Sequence, residues 1–347
     1  MKRLRVVIVN DSATMRAALA ASLRGFPDIE VIAEIGDGNA AVTVVRDTRP
    51  SVVLMDVIMP GCDGYAATRK IMATTPTPIV MISSVVDPRD TNVILSALGA
   101  GALSIAEAPP PPTDPSYRLR CAALAQLLRS MADVRVARSD GRPATRLTPV
   151  GIPAVRPSPV GAIGIVASTG GPSAMCDVLS ALPLRTMPPI LVVQHLAKGF
   201  APSFAQWLGE RTSHDVRVAV HGAPIDRGTV WIAPDEQHLG VTPDLRIALS
   251  DTPPVGVFRP SATYLLTSLS RSFGTRALGV VLTGMADDGA DGAVALRNCG
   301  GRMVAQDEAT SVIYGMPRAA FERGGVDDVL PLGDIGAWLC QKCGIAC

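Results

Sequence analysis

Three polar residue types that together perform acyl transfer each follow an apolar run in the second half of the chain. Ser168 follows GAIGIVA (161–167) and leads at once into Thr169-Gly170-Gly171-Pro172. His195 follows PILVVQ (189–194), and Asp287-Asp288 follow ALGVVLT (277–283) within LTGMADDGADG. A serine hydroxyl attacks a carbonyl only when a base takes its proton, and that base needs a carboxylate to fix its tautomer. Of the chain's four histidines, His195 follows the strongest apolar run and His221 a weaker one; His214 and His238 are the others. Asp287 and Asp288 are both candidates for the carboxylate. Gly170 and Gly171 allow a tight turn, and N–H groups opening the next helix are natural oxyanion donors. A strand, glycines and a helix can also cradle phosphate. However, the chain has no G-x-G-x-x-G, no Walker lysine and no acid placed for a ribose.

The first half holds a second constellation. VVLMD places Asp56 at the end of one apolar run, and Asn10-Asp11 close the run RVVIV. In an open parallel sheet these strand ends share one edge, so Asp11 and Asp56 should face each other. Two close carboxylates repel unless a cation lies between them, and Mg²⁺ suits oxygen ligands. Ser83 ends a further run, where a hydroxyl could bond a phosphoryl oxygen. The plainer alternative is helix capping by Asn10-Asp11-Ser12.

The elements needed to carry these residues are visible as apolar runs alternating with helical spacing. Strands are expected at 5–9, 29–35, 52–55, 78–83 and 102–106, then at 161–167, 189–194, 216–220, 229–233, 277–283, 302–306 and 327–332. PDLRIAL (243–249) is expected as an antiparallel hairpin partner. Near-continuous apolar strands separated by helices predict parallel sheets covered on both faces, that is, two α/β domains. Between them lies APPPPTDPSY (108–117), then a stretch to 159 rich in arginine, interrupted by one short helix in LRCAALAQLLRSMA. Its arginines have no interleaved aromatics and read as a solvated tether rather than a nucleic-acid surface.

Composition sets the outer limits. The 347 residues suit two domains, and 48% hydrophobic content with only 4% aromatic calls for aliphatic cores. A net charge of +1 argues neither for nor against an anionic partner. No apolar run reaches the roughly 18 residues of a membrane span, and MKRLRVVIVNDS reads as a first strand rather than a signal peptide. Seven scattered cysteines, including Cys340, Cys343 and Cys347, suggest reduced, idle thiols in a cytoplasmic protein.

Residues 1–109 resemble a response-regulator receiver domain. The resemblance implies a flavodoxin-like (βα)5 fold, Asp56 as phosphoacceptor, and Asp11 with Asp56 as Mg²⁺ ligands, Asn10 joining through its carbonyl. It also implies Ser83 as the switch hydroxyl. Met59-Pro60 and Asp63-Gly64 match the following loop. The chain departs from the family at Asn10, where an acid is usual, and at Ala108, where a lysine is usual.

Residues 161 to about 332 resemble the catalytic domain of chemotaxis protein-glutamate methylesterases. The match is carried by ASTGGPS (167–173), QHLAKGFAPSFAQWL (194–208), IAPDEQHL (232–239), FRPSATYLL (258–266), LTGMADDGADG and AQDEATSVIYGMPRAA (305–320). It implies a doubly wound, mainly parallel, Rossmann-like domain. By the same resemblance Ser168 is nucleophile, His195 base and Asp288 orienting carboxylate, with the backbone N–H groups of Thr169 and Met285 as oxyanion donors. Val166 and Ala286 stand where glycine is usual. The implied activity is hydrolysis of γ-glutamyl methyl esters and deamidation of glutamines on chemoreceptors, with no cofactor for the esterase, a chemotaxis histidine kinase as phosphodonor, and neither nucleic-acid binding nor membrane insertion. The alternatives are a regulator that binds receptor or kinase without turnover, and a DNA-binding response regulator, against which the strand-rich second half argues. The expected division is receiver 1–109, linker 110–159 and catalytic domain 160–347.

Overall fold

The computed structural model describes residues 3–83, 104–132, 160–183, 186–196 and 198–346. Contacts divide the chain into two units, Met1–Gly141 and Arg142–Cys347.

The first unit is a five-stranded sheet of order β2-β1-β3-β4-β5, formed by β1 (Leu4–Val9), β2 (Ile29–Ile35), β3 (Val52–Asp56), β4 (Ile79–Ser83) and β5 (Ser104–Glu107). All its pairings are parallel. β3 is buried along its whole length, as its unbroken apolar sequence demands of a strand covered on both faces. Helices α1 (Ala13–Leu23), α2 (Gly38–Thr48) and α3 (Gly64–Thr74) are each opened by a side-chain cap, from Ser12, Asp37 and Asp63 respectively.

The tether expected from residue 110 begins too early. Helix α4 (Tyr117–Ala132) buries Cys121, Leu124, Ala125, Leu128 and Met131, a 3-4 spacing that lays one face on this unit's own α1, β3 and β4. Arg129, expected in solvent, holds Asp28 through two bonds of 2.7 and 2.9 Å and lies over the Phe26 ring. The helix itself was expected in LRCAALAQLLRSMA; the surrounding prolines and arginines hid only that it packs on the first unit rather than interrupting a tether. The remaining tether, with Arg135, Arg138, Arg142, Arg146 and Arg156, lies outside the described residues.

The second unit is a seven-stranded sheet of order β14-β13-β12-β6-β7-β9-β8, also parallel throughout. In chain order it runs β6 (Ala162–Ala167), α5 (Gly171–Ser180), β7 (Ile190–Gln194), α6 (Ala201–Thr212), β8 (Asp215–Val218) and β9 (Thr229–Ile232). A hairpin of β10 (His238–Val241) and β11 (Ile247–Ser250) follows, and then α7 (Ala262–Phe273). The unit closes with β12 (Ala277–Val281), α8 (Ala290–Asn298), β13 (Arg302–Gln306), α9 (Met316–Glu322), β14 (Asp328–Leu330) and α10 (Leu332–Cys343). The chain leaves β6 toward β7 and later returns to its other side as β12, so the sheet's switch point lies between β6 and β12. Open parallel sheets bind ligands at that point.

Three expectations change. PDLRIAL does form a hairpin strand, but its partner is HLGV, and the pair makes a separate antiparallel sheet. The strand expected over 327–332 stops at Leu330, because Pro331 caps α10. Cys340, expected as a free thiol, is disulfide-bonded; a cysteine count cannot tell which sulfurs a fold brings within bonding distance.

Candidate active site

Ser168 leaves β6 directly beside the switch point. Its N–H donates to Thr283 O (3.1 Å), and its carbonyl accepts from Gly171 N (2.9 Å) and from the buried Gln194 Nε2 (2.7 Å). The carbonyl is thus turned inward. In a planar trans peptide the next N–H points the opposite way, so that of Thr169 faces outward. Gly170 takes φ +78°, and a Cβ there would stand 2.6 Å from Val312 Cβ, so only glycine makes this turn. Gly284 is needed for a different reason: a Cβ there would come within 2.9 Å of Ser168 Cβ. Thr283 Oγ1 donates to Thr169 O (2.9 Å) and accepts Ile313 N–H (2.9 Å). One hydroxyl therefore clamps the serine turn to the loop before α9.

β7 pairs with β6 so that Ala167 faces Gln194, which brings Ser168 and His195 out together from neighbouring strands. His195 Nε2 lies 2.9 Å from Asp288 Oδ2. Its Nδ1 is buried without a hydrogen-bond partner, so the bond from Ser168 to His195 is not formed in this structure. With Nε2 committed to the carboxylate, Nδ1 is the nitrogen left to take a proton. His214 bonds Leu179 O, His221 accepts from Leu249 N, and His238 bonds Pro253 O; none meets Asp288.

Asp288 sits on the amino end of α7. Oδ1 accepts Ser261 Oγ (2.8 Å) and Thr263 N (3.0 Å), while Oδ2 accepts Ala262 N (2.7 Å) besides His195. Burial alone would raise its pKa, but these donors and the imidazole outweigh it and hold the group at about 2. The helix dipole favours the same anion. Asp287, the other candidate, is exposed and paired with Arg323.

Several supporting residues were not legible as functional. His238, fully buried, accepts Ser261 N–H on Nδ1 (3.2 Å) and stacks on Tyr264, so it sets the cap that holds Asp288. Phe258 stacks on the His195 ring at 4.3 Å and 7°. Gln194 and Thr283 fix the serine turn. Only Ser261 had a sequence signal, a cap-type residue just before helical spacing.

Thr169 follows Ser168 in the chain, and Met285 follows Gly284, whose Cβ position would lie 2.9 Å from Ser168 Cβ. Val166, in a glycine position of the resemblance, is fully buried in the core and β6 keeps its pairing. Ala286 takes φ +68°, a left-handed conformation that strains an L side chain.

In the first unit, Asp56 lies at the end of β3, and Asn10 Nδ2 donates to its Oδ2 (2.6 Å). Asn10 Oδ1 accepts Ser12 N (2.8 Å). Burial is the main cause raising Asp56 to about 6; backbone bonds from Ile58 and Val57 oppose it, and the nearby Asp11 charge adds to it. Asp11 is exposed at the same edge. The Ser83 side chain lies outside the described residues. No cluster of three metal-ligating side chains occurs among the described residues, because Asn10 replaces an acid. Asp11 and Asp56 form a pair offering only oxygen donors, with the Arg16 guanidinium on the Asn10 and Asp11 main-chain carbonyls beside them (2.7 and 3.1 Å). Such a pair fits a hard cation that keeps several waters.

Comparison with known proteins shows what the two units resemble. The CheB methylesterase family matches residues 163–339, and the response regulator receiver domain matches residues 6–105. A protein-glutamate methylesterase/protein-glutamine glutaminase of Myxococcus xanthus (strain DK1622) is 41% identical over 97% of this chain and 96% of its own length. One of Cupriavidus pinatubonensis (strain JMP 134 / LMG 1197) is 37% identical over 98% of each. The crystal structure of the Thermotoga maritima CheB methylesterase catalytic domain superposes with a TM-score of 0.51 and 32% identity, covering 53% of this chain and 99% of that one. No described helix is long and apolar enough to cross a membrane. A receiver unit followed by a Ser-, His- and Asp-bearing parallel sheet, related along nearly its whole length to such enzymes, places this chain in the CheB methylesterase family as a receiver-linked ester hydrolase.

Proposed function

We propose that the protein hydrolyses γ-glutamyl methyl esters on chemoreceptors and deamidates receptor glutamines in the cytoplasm, through Ser168, His195 and Asp288. The observation carrying this reading is the His195 ring, committed at Nε2 to an ionised Asp288 and left at Nδ1 with no partner.

Nδ1 takes the Ser168 proton as Oγ bonds to the ester carbonyl carbon. The backbone N–H groups of Thr169 and Met285 would receive the oxyanion. The imidazolium, stabilised by Asp288, returns its proton to the leaving oxygen and methanol departs. Water, deprotonated by the same Nδ1, then attacks the acyl-serine and restores the glutamate carboxylate. A glutamine amide follows the same path and loses ammonia.

In the receiver, the Asp56 carboxylate would accept a phosphoryl group from a chemotaxis histidine kinase, with the Ser83 hydroxyl bonding it. Asp11, Asp56 and the Asn10 carbonyl would hold Mg²⁺, which would neutralise the incoming phosphoryl charge. That modification would control the esterase.

The test is release of labelled methanol from methylated receptor membranes by the full chain. Wild type is expected to release it, and Ser168→Ala to slow release by roughly 10⁴-fold or more. A wild type that binds the membranes without releasing methanol would overturn the reading in favour of a non-catalytic regulator.

A further inference from the structure

The segment between β11 and α7 ends in a small arch that the mechanism above does not use. Val255 and Phe258 bond each other reciprocally, N–H to carbonyl, at 3.1 Å each way. Gly256 takes φ +62° to close the turn. This leaves Val257 at the tip, 84% exposed, with Val255 beside it. A single exposed valine needs no explanation by itself. Here, however, the apolar tip is held rigidly and next to the chemistry. His238 Nε2 donates to Pro253 O (3.1 Å). Arg259 donates to Asp251 O (3.2 Å), and Gln237 donates to the Asp251 carboxylate (2.8 Å). Phe258, the residue after the tip, lies flat on the imidazole of His195. On its other side Val255 rims a cleft of about 320 Å³ along α7 that is lined by Tyr264, Thr267, Ser268 and Arg271.

A glutamyl ester carried on a protein helix cannot reach Ser168 alone. The side chains three and four positions away on that helix stand about 5–6 Å from it, so whatever borders the imidazole meets them. We propose that the arch 255–258 is the docking surface for the apolar flank of the substrate helix, with Val257 and Val255 packing against residues one turn from the esterified glutamate. The proposal rests on the esterase reading above. A pre-ordered tip loses little conformational freedom on binding, which is what a recognition loop requires.

The test compares two substrates with the full chain: methylated receptor membranes and the small ester N-acetylglutamate γ-methyl ester. The quantity read is the ratio of kcat/KM on receptor to kcat/KM on the small ester. Val257→Asp is expected to lower this ratio about tenfold, through a higher KM for receptor, and Val257→Leu to preserve it. A ratio kept within about twofold by Val257→Asp, whether or not both rates fall, overturns the docking surface and leaves the esterase standing. A wild type active on the small ester and inactive on receptor overturns both readings together.

Discussion

Two aspartates stand at the carboxyl edges of two parallel sheets, Asp288 at 5% exposure and Asp56 at 8%, and they meet opposite fates. Asp288 gathers two backbone N–H groups, a serine hydroxyl and an imidazole, and its pKa falls to about 2. Asp56 has the Asn10 amide and weaker backbone bonds, with Asp11 nearby, and its pKa rises to about 6. Burial penalises charge in both; the supply of donors decides the outcome. The first group must remain an anion through every step of the proposed turnover. The second must react, and a carboxylate already short of partners is the one that gains most from a cation or a phosphoryl transfer.

That contrast can be broken most severely at Asp288. Asp288→Asn turns an NH₂ toward His195 Nε2, which favours the tautomer protonated on Nδ1 and removes the base. The expected loss is roughly 10⁴-fold in kcat, measured as methanol release. A loss under about tenfold would mean that Asp288 does not set the tautomer. The wild-type linkage has the usual sign for a depressed acid. The stability Asp288 contributes is complete above its unfolded pKa near 3.8 and is lost as pH falls through about 2.

Asp56→Asn tests the other side and has the opposite sign. Above pH 6 the wild type carries a buried charge that the unfolded chain holds more comfortably, so removing it stabilises the receiver by about 2 kcal/mol at pH 7.5. The gain shrinks as pH falls from about 6 through 3.8, below which the folded and unfolded forms are both protonated. Thermal unfolding of the full chain at pH 7.5 and pH 4.5 measures it; equal shifts at both would show that Asp56 charge is not the cause. The smallest effect is at Ala286. Ala286→Gly relieves a left-handed φ and should raise the catalytic unit's stability by about 1 kcal/mol. An unchanged or lower unfolding temperature would show that the φ +68° conformation stores no strain.

The same contrast sorts what could be read from the sequence. Strands such as AIGIVA and VVLMD are apolar because both faces are covered, so the sheets and the residues ending them were visible. Choosing Asp288 over Asp287 required the resemblance, since the residues alone left both open; the structure separates them by contact with His195 or Arg323. The donors that set the charge states were hidden. His238 follows no long apolar run; it acts on Asp288 only through Ser261, and the strand it opens, HLGV, is too short and glycine-broken to announce itself. Helix α4 was legible in LRCAALAQLLRSMA, but its membership of the first unit was not, because its neighbours in sequence advertise a tether while its buried stripe answers to β3 and β4.

The commitment of Nε2 to Asp288 has a geometric corollary. Nδ1 is the ring nitrogen nearest the residue's own main chain, so a base using it has a short arm. Its nucleophile must then come from the adjoining strand, as Ser168 does, one step beyond the Ala167–Gln194 pair. The far edge of the ring reaches outward and can be served by a distant loop, and Asp288 arrives from 93 residues further along the chain. With the ring turned this way, the adjoining strand brings the serine to one ring nitrogen and a distant loop brings the carboxylate to the other.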